Sequence, residues 1–474
     1  MKEPKVAGLD IGTSKISLVI YDDGFNVIDE ITVPNETDLV GPVAEQNPDV
    51  LLAKVKGLMD KAVKEGVKII GIATYRGSLV IWDKSGGKLS PIITWMDYRS
   101  AINYSKLPLK ARFAGKLPVI GSAFSPESMA VKLKTYLIEN PKLSELLEKK
   151  NGFAWNVDGY IAYSLSGKFI ADPSTSALTG LINPRTLKPL NIVLKLLELP
   201  SIAFPLMPGY DEMNIETMGL EVRSLLGDQQ AASIGLQCLE KGCMKIGLGT
   251  GFFIDYSLGS EFPGTFLPEG LLPIILYVNT TKRVMGVEGY LTGMGKSVEW
   301  FVENLFGGSY NSMDNSINNT SPPIVIPYLW GGRTPRLHKG VSGIIGLEPG
   351  YNIESIANGL AHGVSAALSY VYNKITAKYG SPSKIFVMGG LTRLNKLNEL
   401  VASYLNTKIL VSKRRDVTAL GAALQAAESR GWHLTPDIEF VEMDPNPDLV
   451  TVNPQTIVRW ARMIQSKTRI REEV

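Results

Sequence analysis

Two cysteines in 474 residues cannot build a disulfide scaffold, and Cys238 and Cys243 fit a reducing cytosol. Three histidines, none set beside a cysteine, make a zinc site a poor expectation. No apolar run approaches the ~20 residues of a membrane span. The first residues, Met1-Lys2-Glu3-Pro4-Lys5, lead into a segment that turns polar too soon for a signal peptide. A cytoplasmic chain with no membrane partner is therefore expected. A net charge of +3 with no basic stripe excludes nucleic acid as the expected partner. Against these absences, 45% hydrophobic and 20% charged residues are ordinary for a folded globular chain, and the length predicts two or three domains.

Apolar runs around a Gly-Thr-Ser turn over 5–33 predict a β-meander. Helical spacing of Val50, Leu51, Val55, Leu58, Met59, Ala62 and Val63 predicts a helix over 50–65, with Gly66 past its end. A buried strand is expected over 68–74, and helices over 127–139, 158–166 and 354–378. Residues 306–323, rich in Gly, Asn and Ser, read as a surface loop. Ile385 to Met388 reads as a strand running into Gly389-Gly390. Asp416 is the expected N-cap of the helix that follows. The tail, with Ile457, Trp460, Ala461 and Ile464, predicts a terminal amphipathic helix.

One repeat stands out. Val6 to Thr13 and Met244 to Gly251 each read as strand, tight Gly-Thr turn, strand, which points to a duplicated fold with a cleft between its halves. Pro200 to Pro208 is a break, and the boundary is set near 223–227. The expected units are 1–225, 226–440 and a helical tail over 441–474.

The chemistry gathers around these turns. In Gly249-Thr250-Gly251 and Gly12-Thr13-Ser14, glycine lets the backbone approach an anion while successive N–H groups and a hydroxyl point at phosphate oxygens. Either turn alone is satisfied by an ordinary hairpin; two, each opening a half, point to phosphate. Asp10 at the first turn suits Mg²⁺ held through water, or a turn cap. Asp228, at the start of a helix predicted over 229–240, suits a general base or a plain N-cap, and the two jobs are compatible. Gly293-Met294-Gly295-Lys296-Ser297 resembles a phosphate-loop motif, but Tyr290 stands where that motif needs glycine, so Lys296 reads as a solvated helix residue. Gly389-Gly390 is open to an adenine ring or is a turn. His338, His362 and His433 are isolated, and His362 reads as packed in a helix.

Together, Leu9-Asp10-Ile11-Gly12-Thr13-Ser14, Ile93-Thr94-Trp95-Met96-Asp97-Tyr98-Arg99, Gly227-Asp228-Gln229-Gln230-Ala231-Ala232, Gly249-Thr250-Gly251, Met388-Gly389-Gly390 and Asp416-Val417-Thr418-Ala419-Leu420-Gly421 occur in an order that resembles the FGGY carbohydrate kinases, from Val6 to about Trp432. The Gly-Asp-Gln-Gln-Ala-Ala run is most similar to the glycerol-kinase branch. The resemblance implies an α/β fold of two ribonuclease-H-like lobes, of the actin-like ATPase kind, with the active site between them. It implies ATP and Mg²⁺ as cofactors and a small polyol or sugar as partner, and leaves a homodimer open. It places Asp228 at the catalytic base and Asp10 at the metal. Thr13, Ser14, Gly249, Thr250 and Gly251 fall on phosphate turns, and Gly295, Gly389 and Gly390 on nucleotide-contacting positions. Arg76, Trp95, Asp97, Asp228 and Gln229 fall on the acceptor side.

The departures bear on substrate. Gly77 stands where glycerol kinases carry a glycerol-binding glutamate, and Ala123 where they carry a pocket tyrosine. The basic residue expected soon after the first Gly-Thr is absent, with Ser17 near its place. Thr74-Tyr75-Arg76-Gly77-Ser78 is unlike the matching segment of xylulose kinases. Glycerol or a related polyol is the first expectation and a ketopentose the alternative. An ATPase that drives conformational change, or a weakly active paralogue, are the further readings.

Overall fold

The computed structural model describes residues 5–117, 120–264, 266–432 and 435–472. Two sheets organise the chain. The first contains β1 (Val6–Ile11), β2 (Lys15–Tyr21), β3 (Val27–Pro34), β4 (Ile69–Thr74), β5 (Ile215–Thr217) and β6 (Leu220–Gly227) in the order β5-β6-β4-β1-β2-β3. The second contains β7 (Cys243–Leu248), β8 (Phe252–Gly259), β9 (Leu272–Val278), β10 (Arg283–Leu291), β11 (Lys384–Met388), β12 (Ile409–Ser412) and β13 (Phe440–Met443). Its order is β9-β10-β8-β7-β11-β12-β13.

The internal repeat lies in the pairing. In the first sheet, β1 is antiparallel to β2, β2 to β3, and β1 is parallel to β4, which is parallel to β6. In the second, β7 is antiparallel to β8, β8 to β10, and β7 is parallel to β11, which is parallel to β12. Both lobes therefore share one strand order, dressed with different edge strands. This is the α/β, two-lobed ribonuclease-H-like fold.

Among the helices are α1 (Pro48–Lys64), α2 (Met129–Glu139), α3 (Asp228–Gly235), α4 (Met294–Leu305), α5 (Ile353–Tyr379) and α6 (Val417–Glu428). Asn47 caps α1 through Asp49 N–H, Pro48 sits in its first turn, and Leu51, Val55, Leu58, Met59 and Ala62 bury one face. That face closes the core of the first lobe with β1, β2 and β4.

The last core strand of each lobe, β6 and β12, is followed by a helix, α3 and α6. These two helices pack on each other between the sheets. Each also crosses to the other lobe. Along α6, the Ala419 and Ala422 carbonyls lie where a Cβ on Gly8 of β1 or Gly71 of β4 would intrude, so bare backbone lets helix meet sheet. Ala232 and Leu236, on and just past α3, pack with Cys243 and Phe386 of the second sheet. The cleft runs along this layer.

Several expectations change. The helix after Asp228 stops at Gly235 instead of 240, because Leu236 and Cys238 turn in to pack with Phe386 and Val417. Cys238 and Cys243 are not free thiols: they form a disulfide with Cα atoms 5.5 Å apart. The 306–323 loop contains a helix, Tyr310–Ser316, started by the Ser309 side chain accepting from Ser312 N–H and anchored by buried Met313. Asp416 does not cap α6 with its side chain; Arg414 Nη2 at 2.6 Å and the Tyr21 hydroxyl at 2.7 Å take its carboxylate. His362 is fully buried, 2.9 Å from the Tyr404 hydroxyl. His433 lies outside the described residues. Among those described, no helix is long and apolar enough to cross a membrane.

Candidate active site

A cleft of about 280 Å³ opens where the C-terminal ends of β1, β4 and β6 face the β7–β8 turn. Asp10, Thr13, Arg76, Trp95, Asp228, Gln229, Gly249, Thr250, Gly251 and Gly389 all line it. Ser14, Asp97, Gly295 and Gly390 do not. Ser14 is exposed. Asp97 is buried beside the cleft, where it accepts from Ala44 N–H at 3.0 Å and from Arg99 Nη2 at 2.7 Å and so holds up the loop that carries Trp95. Gly295, in the first turn of α4, touches the Gly249–Gly251 turn from behind: a Cβ there would collide with the Gly249 carbonyl oxygen. Nothing lies within 4 Å of where a Cβ on Gly390 would stand.

Asp228 is the first residue of α3 and 28% exposed. Its Oδ1 accepts from Gln229 N–H at 2.7 Å and lies 3.4 Å from Arg76 Nε. It is thus both a helix-start acid and a carboxylate open to the cleft. Arg76 follows β4 and is clamped by Glu288 of β10, Nη2 to Oε2 at 2.5 Å, with its guanidinium 5.5 Å from the Phe253 ring centre. Burial opposes the Arg76 charge, but Glu288, Asp228 and Asp255 together hold it firmly protonated. Burial pushes the Glu288 carboxyl up from its ordinary value, against the pull of the guanidinium.

Asp10 at the end of β1 is pushed up to about 7, first by burial and then by the negative charge of Asp228, with Lys15 opposing. Two carboxylates repelling each other beside a phosphate-type turn is the environment a divalent cation relieves. Among the described residues no cluster of three or more His, Cys, Asp or Glu could hold a metal. One carboxylate with water and phosphate oxygens is the usual Mg²⁺ arrangement, so Asp10 fits that ion and not a caged metal.

Four features escaped sequence reading. Lys245 of β7, with no exposed surface, reaches Asp255 Oδ2 at 2.7 Å, the Gln229 carbonyl at 2.9 Å and Gln229 Oε1 at 2.8 Å. It pins the first turn of α3 from below. Glu288 and Tyr290 enter the cleft from β10, and Phe253 stacks on Tyr290 with ring centres 4.3 Å apart. The period-two pattern of Glu288 and Tyr290 was a signal that β10 turns these side chains to one face. Trp95 Nε1 donates to Thr13 Oγ1 at 2.9 Å, joining the Trp95 loop to the first glycine turn.

A duplicated core with one glycine turn per lobe, facing a carboxylate in a shared cleft, defines a two-lobed phosphotransferase of the ribonuclease-H-like class. The models of the N- and C-terminal domains of the FGGY family of carbohydrate kinases match residues 6–235 and 270–429. A glycerol kinase of Brucella anthropi is 26% identical over 463 residues, covering 91% of this chain and 92% of that protein. In fold, the chain is similar to a Plasmodium falciparum glycerol kinase solved with ADP (TM-score 0.79, 20% identity, 99% and 98% of the two chains). It is also similar to a xyloylose kinase from Brucella ovis (TM-score 0.81, 19% identity, 98% and 100%). The chain belongs to the FGGY family of carbohydrate kinases, and is a phosphotransferase acting on a sugar or polyol hydroxyl.

Proposed function

We propose that this kinase transfers the γ-phosphate of ATP to a hydroxyl of a small polyol, glycerol or a close relative. The observation that carries the reading is the position of Asp228: its partly exposed carboxylate shares one cleft with the Gly249–Gly251 turn and with Arg76 and Trp95. The glycine turns, with Thr13 and Thr250, hold the phosphates through N–H groups and hydroxyls. Gly389, and Gly390 beside it, leave bare backbone for the base. Asp10 faces Mg²⁺, which when bound screens phosphate charge. Arg76, Trp95 and Gln229 orient the acceptor, and Asp97 supports Trp95.

Asp228 accepts the proton of the attacking hydroxyl as that oxygen bonds to the γ-phosphorus and ADP leaves. Arg76 Nε at 3.4 Å and the Gln229 N–H at 2.7 Å hold the carboxylate in place to receive it. A larger acceptor such as a ketopentose is the second reading. It is favoured by an adjoining chamber of about 500 Å³ that shares Glu127, Leu178, Leu272 and Arg333 with the cleft.

The test is ADP release with MgATP against glycerol, erythritol, xylulose, ribulose, gluconate and no acceptor, for the native chain and Asp228→Asn. Stimulation by an acceptor, lost by about 10²–10⁴-fold in the variant with ADP binding intact, is the expected result. Near-native turnover in Asp228→Asn removes Asp228 from the base role. ATP turnover that none of these acceptors stimulates removes the small-polyol reading and shifts it to an acceptor outside the panel or to an ATPase that drives conformational change.

A further inference from the structure

Two polar atoms in the cleft wall have no partner. Arg76 Nη1 and the Tyr290 hydroxyl are both sealed from solvent, and neither makes a hydrogen bond. Thr292 is near enough to influence the phenol but not at hydrogen-bonding geometry. Buried polar atoms are mostly satisfied; others in the chain are also unpartnered, among them Trp82 Nε1 and the Tyr328 hydroxyl, but Arg76 and Tyr290 both line the cleft, which points to a ligand there. Nη1 only donates, while the phenol both donates and accepts. Sugar and polyol hydroxyls satisfy both.

The surroundings hold these atoms in place. Tyr290 is stacked on Phe253 with an interplanar angle of 17° and meets the Trp95 ring edge-on at 6.1 Å. Its ring also lies over the phosphate turn: a Cβ on Gly251 would stand 2.7 Å from Tyr290 Cε2 and 3.3 Å from its hydroxyl oxygen. Glu288, two residues earlier on the same face of β10, fixes the other end of Arg76. The phenol therefore stands where the acceptor pocket meets the phosphate turn.

We propose that Tyr290 and Arg76 Nη1 form a hydroxyl clamp that decides which acceptors this kinase takes. The first lobe offers no carboxylate at Gly77 and no phenol at Ala123. The clamp supplies the phenol from the second lobe instead, on β10, so selection and phosphate binding share one wall. A site built to bond a hydroxyl discriminates strongly against the analogue that lacks it.

The inference rests on the kinase reading above, and its test separates the two. Acceptor-stimulated ADP release is measured for the native chain and Tyr290→Phe with glycerol, erythritol and ribulose, and with the deoxy analogue of whichever acceptor is used. Phenylalanine keeps the ring stack, so melting temperature and ADP affinity are expected to stay native.

The expected result is a fall of about tenfold or more in kcat/KM for the acceptor, carried mostly by KM. The native enzyme is expected to discriminate against one deoxy analogue by about tenfold or more, and the variant by less than about threefold. Native-like kcat/KM in Tyr290→Phe, with the native enzyme active on the acceptor, overturns the clamp alone. A folded, ADP-binding native chain that none of these acceptors stimulates overturns the small-polyol reading and the clamp with it.

Discussion

Lys245 offers the clearest test of how the site is held. It is fully buried and lies directly opposite Asp255 in the β7–β8 register. Its ammonium meets the Asp255 carboxylate and two oxygens of Gln229. Lys245→Met keeps most of the aliphatic stem and removes the charge. Asp255, 1% exposed, then loses its ion-pair partner and keeps only the more distant Arg76 charge, a loss of up to about 3–5 kcal/mol. The Gln229 carbonyl keeps its bond from the Ser233 hydroxyl, so losing the Lys245 contacts to Gln229 adds only about 1 kcal/mol. At about 2–4 °C per kcal/mol for a lobe of this size, the melting temperature falls on the order of 10 °C. Removing both charges in Lys245→Met/Asp255→Leu is expected to recover most of that loss, because the desolvation of two ions disappears with them. Calorimetric or fluorescence melting of the native chain, the single and the double variant reads this directly. A single variant within about 1 kcal/mol of native, or a double variant less stable than the single, refutes the argument. Acceptor turnover is expected to stay low in the double variant even where stability returns, since Gln229 beside Asp228 has lost its anchor.

Two further outcomes follow from the same geometry. Gly295→Ala puts a methyl group into the Gly249 carbonyl, so the phosphate turn must shift; ADP affinity by titration calorimetry is expected to weaken about tenfold or more, and unchanged affinity refutes the contact. Asp158, fully buried, is raised to about 7 by burial and then by Asp172. It holds its proton in the folded chain, so its contribution is complete below about pH 4 and is lost as pH rises through 7. Asp158→Asn stays neutral throughout. It is expected to gain on the native chain between pH 4 and 7 and hold a plateau above, of at most about 4 kcal/mol from three units at about 1.4 kcal/mol each. A stability difference that does not change with pH counts against this assignment.

Much of the fold was legible because it rests on local pattern. The meander over β1–β3, the strands at 69–74 and 384–388, and the long helix Ile353–Tyr379 follow apolar spacing of two or near four residues. The repeat was visible only at its two glycine turns. Strand order is a long-range pairing, and the edge strands that differ between the lobes hide it from any local reading. The same limit explains the helix that ends at Gly235 and the helix inside 306–323. Each is decided by which side chains find a core, and Ser309 and Met313 signal that only weakly in a stretch rich in Gly, Asn and Ser.

By itself the sequence determined the chemistry available: two glycine turns, Asp10 and Asp228 beside them, and Arg76 and Trp95 in the first half. Those residues must be of these types, because close backbone approach, proton acceptance and anion pairing depend on atoms each residue carries wherever it lies. Only the tertiary structure decided how they combine. It brought Arg76 against Glu288, set Lys245 under Gln229, turned Asp97 away into a supporting role, and left Tyr290 and Arg76 Nη1 open together. Those outcomes depend on which strand lies across the cleft from which, and that is settled by the docking of two lobes through α3 and α6 rather than by any stretch of neighbouring residues.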